Sequence, residues 1–157
     1  MTDVSIVRCA DYEHAEPALT EALAPIGSLD WARPGMKVAL KVNLVSGGKP
    51  DSAVVPHPKF VSALCRLLVA RGAEVVVGDS PGGLYTAPFV GHVYSASGMT
   101  AVEEVGARLN HDFSQRAVSF PEGKILRSFQ YTAWLDGADA IIDVCKLKTH
   151  GMMGMSC

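Results

Sequence analysis

Residues 57–83 read HPKFVSALCRLLVARGAEVVVGDSPGG. Pro58 suits the first turn of a helix, where its missing N–H would have no intrahelical partner anyway. Phe60, Val61, Leu64, Leu67 and Leu68 then recur at helical spacing, and Gly72 stands where a left-handed C-cap is expected. Residues 73–77 follow as a continuously apolar strand, the pattern of a parallel strand covered on both faces. Upstream, residues 36–42 (MKVALKV) read as another strand, announced by the Pro34-Gly35 turn. Strand, helix and strand with such short joints make a βαβ unit, and the class is α/β with a mostly parallel sheet.

Working outward, residues 4–9 read as a first strand and 13–25 as an amphipathic helix carrying Ala15, Leu19, Ala22 and Leu23. Residues 80–98, rich in glycine, proline and serine, show no sustained period and read as a long loop, with 84–98 either a lid or a disordered segment. A short helix is expected over 99–106 and a strand near 107–110. Residues 116–120 and 125–130 alternate in polarity, suggesting a hairpin closed by Pro121-Glu122-Gly123. A helical turn is expected over 131–136, then a buried strand over 138–144 that runs on into Cys145-Lys-Leu-Lys-Thr-His150. The architecture expected is an open three-layer α/β domain with flanking helices, spanning residues 1–157 as a single domain.

Composition excludes several classes. Of 157 residues, 48% are hydrophobic and 19% charged, enough apolar material for a sizeable core, so a disordered chain is ruled out. With 14 basic and 16 acidic residues the formal charge is −2, which argues against sequence-blind nucleic-acid binding. No window supplies the roughly 18 consecutive apolar residues of a membrane span, and the N-terminus lacks the pattern of a secretory signal. The expectation is a cytoplasmic protein with neither nucleic-acid nor membrane partners. Its four cysteines, Cys9, Cys65, Cys145 and Cys157, are scattered without a C-x-x-C pair and read as reduced thiols.

Open α/β sheets collect ligands beyond the carboxyl ends of their parallel strands, and the polar residues here fall at those ends. One strand finishes Lys41-Val-Asn43, the next Gly78-Asp79-Ser80-Pro81-Gly82-Gly83, and the last Lys146-Leu-Lys148-Thr149-His150. If the extended conformation continues, Lys146, Lys148 and His150 share one side. Cationic groups so placed repel each other unless Asp79, Asp143 or an anionic ligand supplies negative charge. Lys41, Asn43, Ser80, Gly82, Gly83, Lys146, Lys148 and Thr149 are therefore the candidate ligand-binding residues. His150 and Asp79 are the candidates for proton transfer. His57, just before Pro58, reads as a helix cap or as a residue pointing into the same mouth.

Some apparent motifs fail. Gly78-Asp-Ser80-Pro-Gly82 has the spacing of a nucleophile elbow, yet the oxyanion donor would be Pro81, which has no N–H. Ser46-Gly-Gly-Lys49-Pro50 lacks the upstream glycine of a phosphate loop, and Pro50 replaces its metal-binding hydroxyl. Cys145, His150 and Cys157 match no standard zinc spacing.

The blocks VALKVNLVSGGKP (38–50), HPKFVSALCRLLVARGAEVVVGDSPGG (57–83) and ADAIIDVCKLKTHGMMGMS (138–156) together resemble the DUF362 family, domains of unknown function often found beside iron–sulfur modules. The resemblance covers residues 36–157 and implies redox-linked chemistry. It also implies an incomplete, truncated domain: the family continues past the methionine- and glycine-rich stretch in which this chain stops, often into a ferredoxin-like domain. No ferredoxin-like domain and no iron–sulfur cluster are expected within this chain, and its cofactor is left unknown. The expected partners are a small anionic ligand, an iron–sulfur protein or domain, and a second copy of the chain in a homo-oligomer.

Two classes of function compete. In one, an enzyme holds an anionic substrate at the strand mouth, with His150 or Asp79 moving protons. In the other, a non-catalytic module binds an anionic ligand or docks an electron-transfer partner, or the chain is an inactive fragment.

Overall fold

The computed structural model describes residues 3–156. Four parallel strands form its sheet in the order β3-β2-β1-β6, where β1 is Lys37–Val42, β2 Glu74–Gly78, β3 Arg108–Leu109 and β6 Ala140–Val144. The chain builds outward from β1 through β2 to β3, then returns to pair β6 on the other flank of β1. That reversal makes the β1/β6 junction a topological switch point, where the ends of adjacent strands diverge.

The βαβ unit forms as the sequence predicts. Helix α2 (Pro58–Val69) starts where His57 Nδ1 accepts the N–H of Lys59 at 3.2 Å, so His57 is indeed a cap. It stops where the Ala73 N–H donates back to the Leu68 carbonyl at 3.2 Å, a closure that needs the left-handed φ of +82° at Gly72. In β1 and β2, alternate side chains Val38, Leu40, Val42, Val75 and Val77 enter one core with Val61, Leu64, Cys65 and Leu68 of α2. Helix α1 (Ala15–Leu23) packs on α2 and buries Ala15, with Leu19 and Leu23 against the core. The short 3-10 segment Met99–Val105 adds Met99 and Val102. The opposite sheet face carries the 3-10 segment Ala133–Gly137, whose Trp134 lies over Gly78.

Several sequence expectations are corrected. Residues 4–9 form no strand: no strand pairs with them among the described residues, and Val4 and Ile6 stay 78% and 91% exposed. An extended run becomes a strand only when another lies beside it. Residues 80–98 are not one long loop, because Ala87–Ala96 forms helix α3. Pro88 in its first turn and the buried trio Val90, Val93 and Tyr94 at helical spacing drive it, despite Gly91 in the middle. Residues 84–86 link the glycine turn to that helix, so 84–98 is not a disordered stretch.

The hairpin exists as β4 (Gln115–Ser119) and β5 (Ser128–Thr132), with a longer connection than Pro121-Glu122-Gly123. Tyr131 belongs to β5, so the helical turn begins only at Ala133. The strand expected over 138–144 is shorter and not fully buried. On the sheet edge, Ile141 is 54% exposed while Val144 is buried. It is registered at its start by Asp139, whose carboxylate accepts the Lys37 N–H at 2.8 Å. The extended conformation does not run through to His150. After a break at 145–147, β7 (Lys148–His150) pairs antiparallel with β8 (Gly154–Ser156) as a separate small hairpin. Cys157 lies outside the described residues.

Candidate functional site

The three strand ends divide into separate groupings. At the β1/β6 junction, Lys41 stands in register with Gly78 on one side and Asp143 on the other. Its ammonium lies 3.8 Å from Asp79 Oδ1 and 3.9 Å from Asp143 Oδ1. Two carboxylates around one ammonium leave this centre formally negative. Asp79 is buried, and both of its oxygens accept main-chain N–H groups: Oδ2 from Leu44 at 2.7 Å and Oδ1 from Ser80 at 2.9 Å. Burial pushes its pKa above the usual carboxylate value. The Leu44 N–H, the Lys41 charge and the Ser80 N–H oppose that shift, and Asp143 reinforces it. Asn43 follows β1 directly and is half-buried.

Lys146 and Lys148 sit elsewhere, against the loop that carries the 3-10 turn Pro50–Ser52 and against the N-terminal turn Tyr12–His14. Lys146 Nζ donates to the Tyr12 hydroxyl at 2.7 Å, and Lys148 Nζ to the Val54 carbonyl at 2.8 Å. Tyr12 in turn stacks on His57 with ring centroids 3.9 Å apart and planes 9° apart. The His57 imidazole is held below its ordinary value, first by burial, with Lys59 and Lys146 acting in the same direction against Asp51 and Glu13. Among the described residues no carboxylate lies within ion-pair distance of Lys146 or Lys148. Tyr12 is the member that sequence reasoning missed: it is 134 positions from Lys146, and no local pattern joins them.

His150 and Thr149 lie on β7, both exposed. Register places Thr149 opposite Met155 and His150 opposite Gly154. His150 Nδ1 accepts the N–H of Met152 at 3.2 Å and of Met153 at 3.1 Å. That fixes its neutral tautomer with the proton on Nε2.

Ser80 and Gly83 border a different cleft, facing the β4–β5 ribbon, while the neighbouring Gly82 is exposed. The structure joins the predicted residues by contact in three sets, two of which meet where the Ser80 N–H donates to Asp79. It groups Lys41 with Asp79 and Asp143, Lys146 with Tyr12 and His57, and Ser80 with Gly83 and the ribbon. Among the described residues, no group of three or more His, Cys, Asp or Glu side chains is placed to hold a metal ion.

Against known proteins, the model of a domain of unknown function, DUF362, matches residues 38–157. The chain belongs to the DUF362 family. This DUF362 chain is also 27% identical, over 161 residues, to a thylakoid-associated protein of Synechocystis sp.; the match covers 98% of the chain and 47% of that relative. The chain thus spans about half the length of the curated relative it matches. No solved structure is a significant match. No helix among the described residues is long and apolar enough to cross a membrane.

Proposed function

We propose that this DUF362 chain binds a small anionic ligand at the carboxyl ends of its strands through Lys146 and Lys148, in chemistry linked to a redox or iron–sulfur partner. One observation carries the reading: both ammonium groups rest on neutral oxygens, the Tyr12 hydroxyl and the Val54 carbonyl. Each ammonium has three donors and spends one on that contact, leaving charge and donors for an anion. Lys41, by contrast, has two carboxylates beside it and serves to position β1 against β2 and β6. Thr149 lies between Lys148 and His150 and offers a hydroxyl. Of the two proton-transfer candidates, His150 suits the role, because among the described residues its Nε2–H has no partner while both Asp79 oxygens are taken by main-chain donors. The scattered cysteines favour a cytoplasmic setting.

Native mass spectrometry of anaerobically purified protein tests the reading. The expected result is an adduct of small-molecule mass that is lost in Lys146→Ala and Lys148→Ala and kept in Lys124→Ala. A spectrum of bare protein alone, or an adduct indifferent to both lysines, rejects it. His150→Ala then separates the two classes of function. Loss of turnover with affinity kept marks an enzyme, and an affinity change alone marks a binding module.

A further inference from the structure

The β4–β5 ribbon has two faces of opposite character. Its register sets Gln115 opposite Thr132, Ala117 opposite Gln130 and Ser119 opposite Ser128, so these six side chains share one face. None is charged, and its only apolar member is the methyl group of Ala117. The other face carries Arg116, Val118, Phe129 and Tyr131. The neutral face meets the glycine turn across a cleft of about 390 Å³, where Gln115, Gln130 and Thr132 of the ribbon, with Tyr131 at its margin, face an uncharged wall of mixed polarity, Ser80 to Tyr85, that includes Pro81 and Leu84. The cleft lies beyond the carboxyl end of β2, a position where open parallel sheets receive ligands.

Its walls are set, and its two carboxamides are unspent. The Tyr85 hydroxyl pairs with Thr132 Oγ1 at 2.5 Å, and the Tyr85 ring meets Phe113 edge-on at 5.4 Å. Gly83 has φ of +131°, and a Cβ there would fall 2.6 Å from the Phe89 ring, so the turn packs flush against α3. Among the described residues neither Gln115 nor Gln130 makes a side-chain hydrogen bond, and each carboxamide presents two donors and an acceptor. A wall without charge offers an ion hydrogen bonds but no counter-charge. An apolar molecule would bury those amides unpaired, which is costly. Hydroxyl groups both donate and accept, and they match carboxamides and hydroxyls alike.

We propose that this cleft binds an uncharged polyhydroxylated ring, the chemistry of a free sugar or of the sugar portion of a larger molecule. The proposal stands on the ribbon and the glycine turn and does not depend on the lysine reading above.

The test uses the full chain, labelled with nitrogen-15, titrated with D-ribose and D-glucose in one arm and ribose 5-phosphate in another. The expected result is movement of the Gln115 and Gln130 side-chain amide signals together with the main-chain signals of residues 80–85. Gln130→Ala should weaken binding about fivefold, the worth of one ordinary hydrogen bond. Gln115→Leu, which replaces the other lining carboxamide by an apolar side chain at an exposed position, should weaken binding to a similar extent while the amide spectrum stays dispersed. Engagement of the carboxamides by the free sugars assigns the cleft to a sugar, and tighter engagement by ribose 5-phosphate assigns it to the sugar part of a larger molecule. Unmoved carboxamide signals in both arms overturn the proposal, and so does binding that Gln130→Ala and Gln115→Leu leave unchanged.

Discussion

Asp79 Oδ2 accepts the main-chain N–H of Leu44 at 2.7 Å, so the end of β2 grips the chain just beyond the end of β1. The same carboxylate turns its other oxygen to the Ser80 N–H and faces Lys41. A buried charge is tolerated there because donors and a cation surround it. Asp79→Ala strands a buried N–H and is expected to cost about 1–3 kcal/mol. Thermal unfolding followed by circular dichroism should fall by several degrees. Asp79→Asn, which keeps an acceptor for Leu44, should fall less. Equal losses in the two variants would mean that the negative charge, and not the hydrogen bond, does the holding.

The approach of Trp134 to the sheet depends on a missing side chain. A Cβ at Gly78 would sit 2.8 Å from Asn110 Cβ and 2.8 Å from Trp134 Cζ2. Gly78→Ala should therefore displace the indole and destabilise by about 1–3 kcal/mol, the usual range for overpacking. In a Trp31→Phe background the emission of Trp134 should shift to the red as the ring moves toward water. An unaltered spectrum and an unaltered urea midpoint would show that the Ala133–Gly137 segment yields freely.

His57 makes stability depend on pH in a defined direction. Its folded-state value lies below the ordinary one, chiefly through burial, so the unfolded chain binds the proton first as pH falls. The contribution is complete above the ordinary value of about 6.5 and is lost as pH drops from there through the folded value. His57→Gln should flatten that part of the profile in urea titrations between neutral and mildly acid pH. A profile identical to that of the parent would assign the acid sensitivity to other groups. Asp79 acts with the opposite sign: its value is raised, so its contribution is lost as pH climbs from the ordinary carboxylate value through the raised folded one.

Cys65 faces the core from α2, and burial pushes its thiol up to about 12. Cys9 and Cys145 are exposed. Iodoacetamide under native conditions should modify both exposed cysteines and leave Cys65 untouched until denaturant is added, read by peptide mass spectrometry. Labelling of Cys65 at the rate of Cys145 would reveal frequent opening of α2.

Much of the fold was legible along the chain, and the misses share a cause. The α2 signals are local: a capping residue, Pro58, a 3.6-residue repeat and Gly72 all act within a few positions. In α3 the same repeat exists in Val90, Val93 and Tyr94, but Gly91 and the adjacent glycine turn mask it. Its stability comes from packing on the Met99–Val105 segment and from Tyr94, whose hydroxyl donates to the Asn110 carbonyl at 3.1 Å. Residues 4–9 carry β-type side chains, yet strand identity is a property of a pair. The candidate site shows the same division. Which residues lie at strand ends was readable; that the acids side with Lys41, leaving Lys146 and Lys148 to neutral oxygens, was not.

By itself, the sequence determined the α/β class, the βαβ unit around residues 57–83, the parallel strands and the concentration of polar residues at their carboxyl ends. Each of these follows from short-range preferences: periodicity, capping and the φ freedom of glycine. Tertiary structure alone decided that β6 lies on the sheet edge and that β7 turns back into its own hairpin. It also decided that Tyr12 meets Lys146 and that the uncharged face of the β4–β5 ribbon looks onto the glycine turn. Those pairings join residues far apart in the chain, and their energies come from burial and charge compensation that exist only once the sheet has formed.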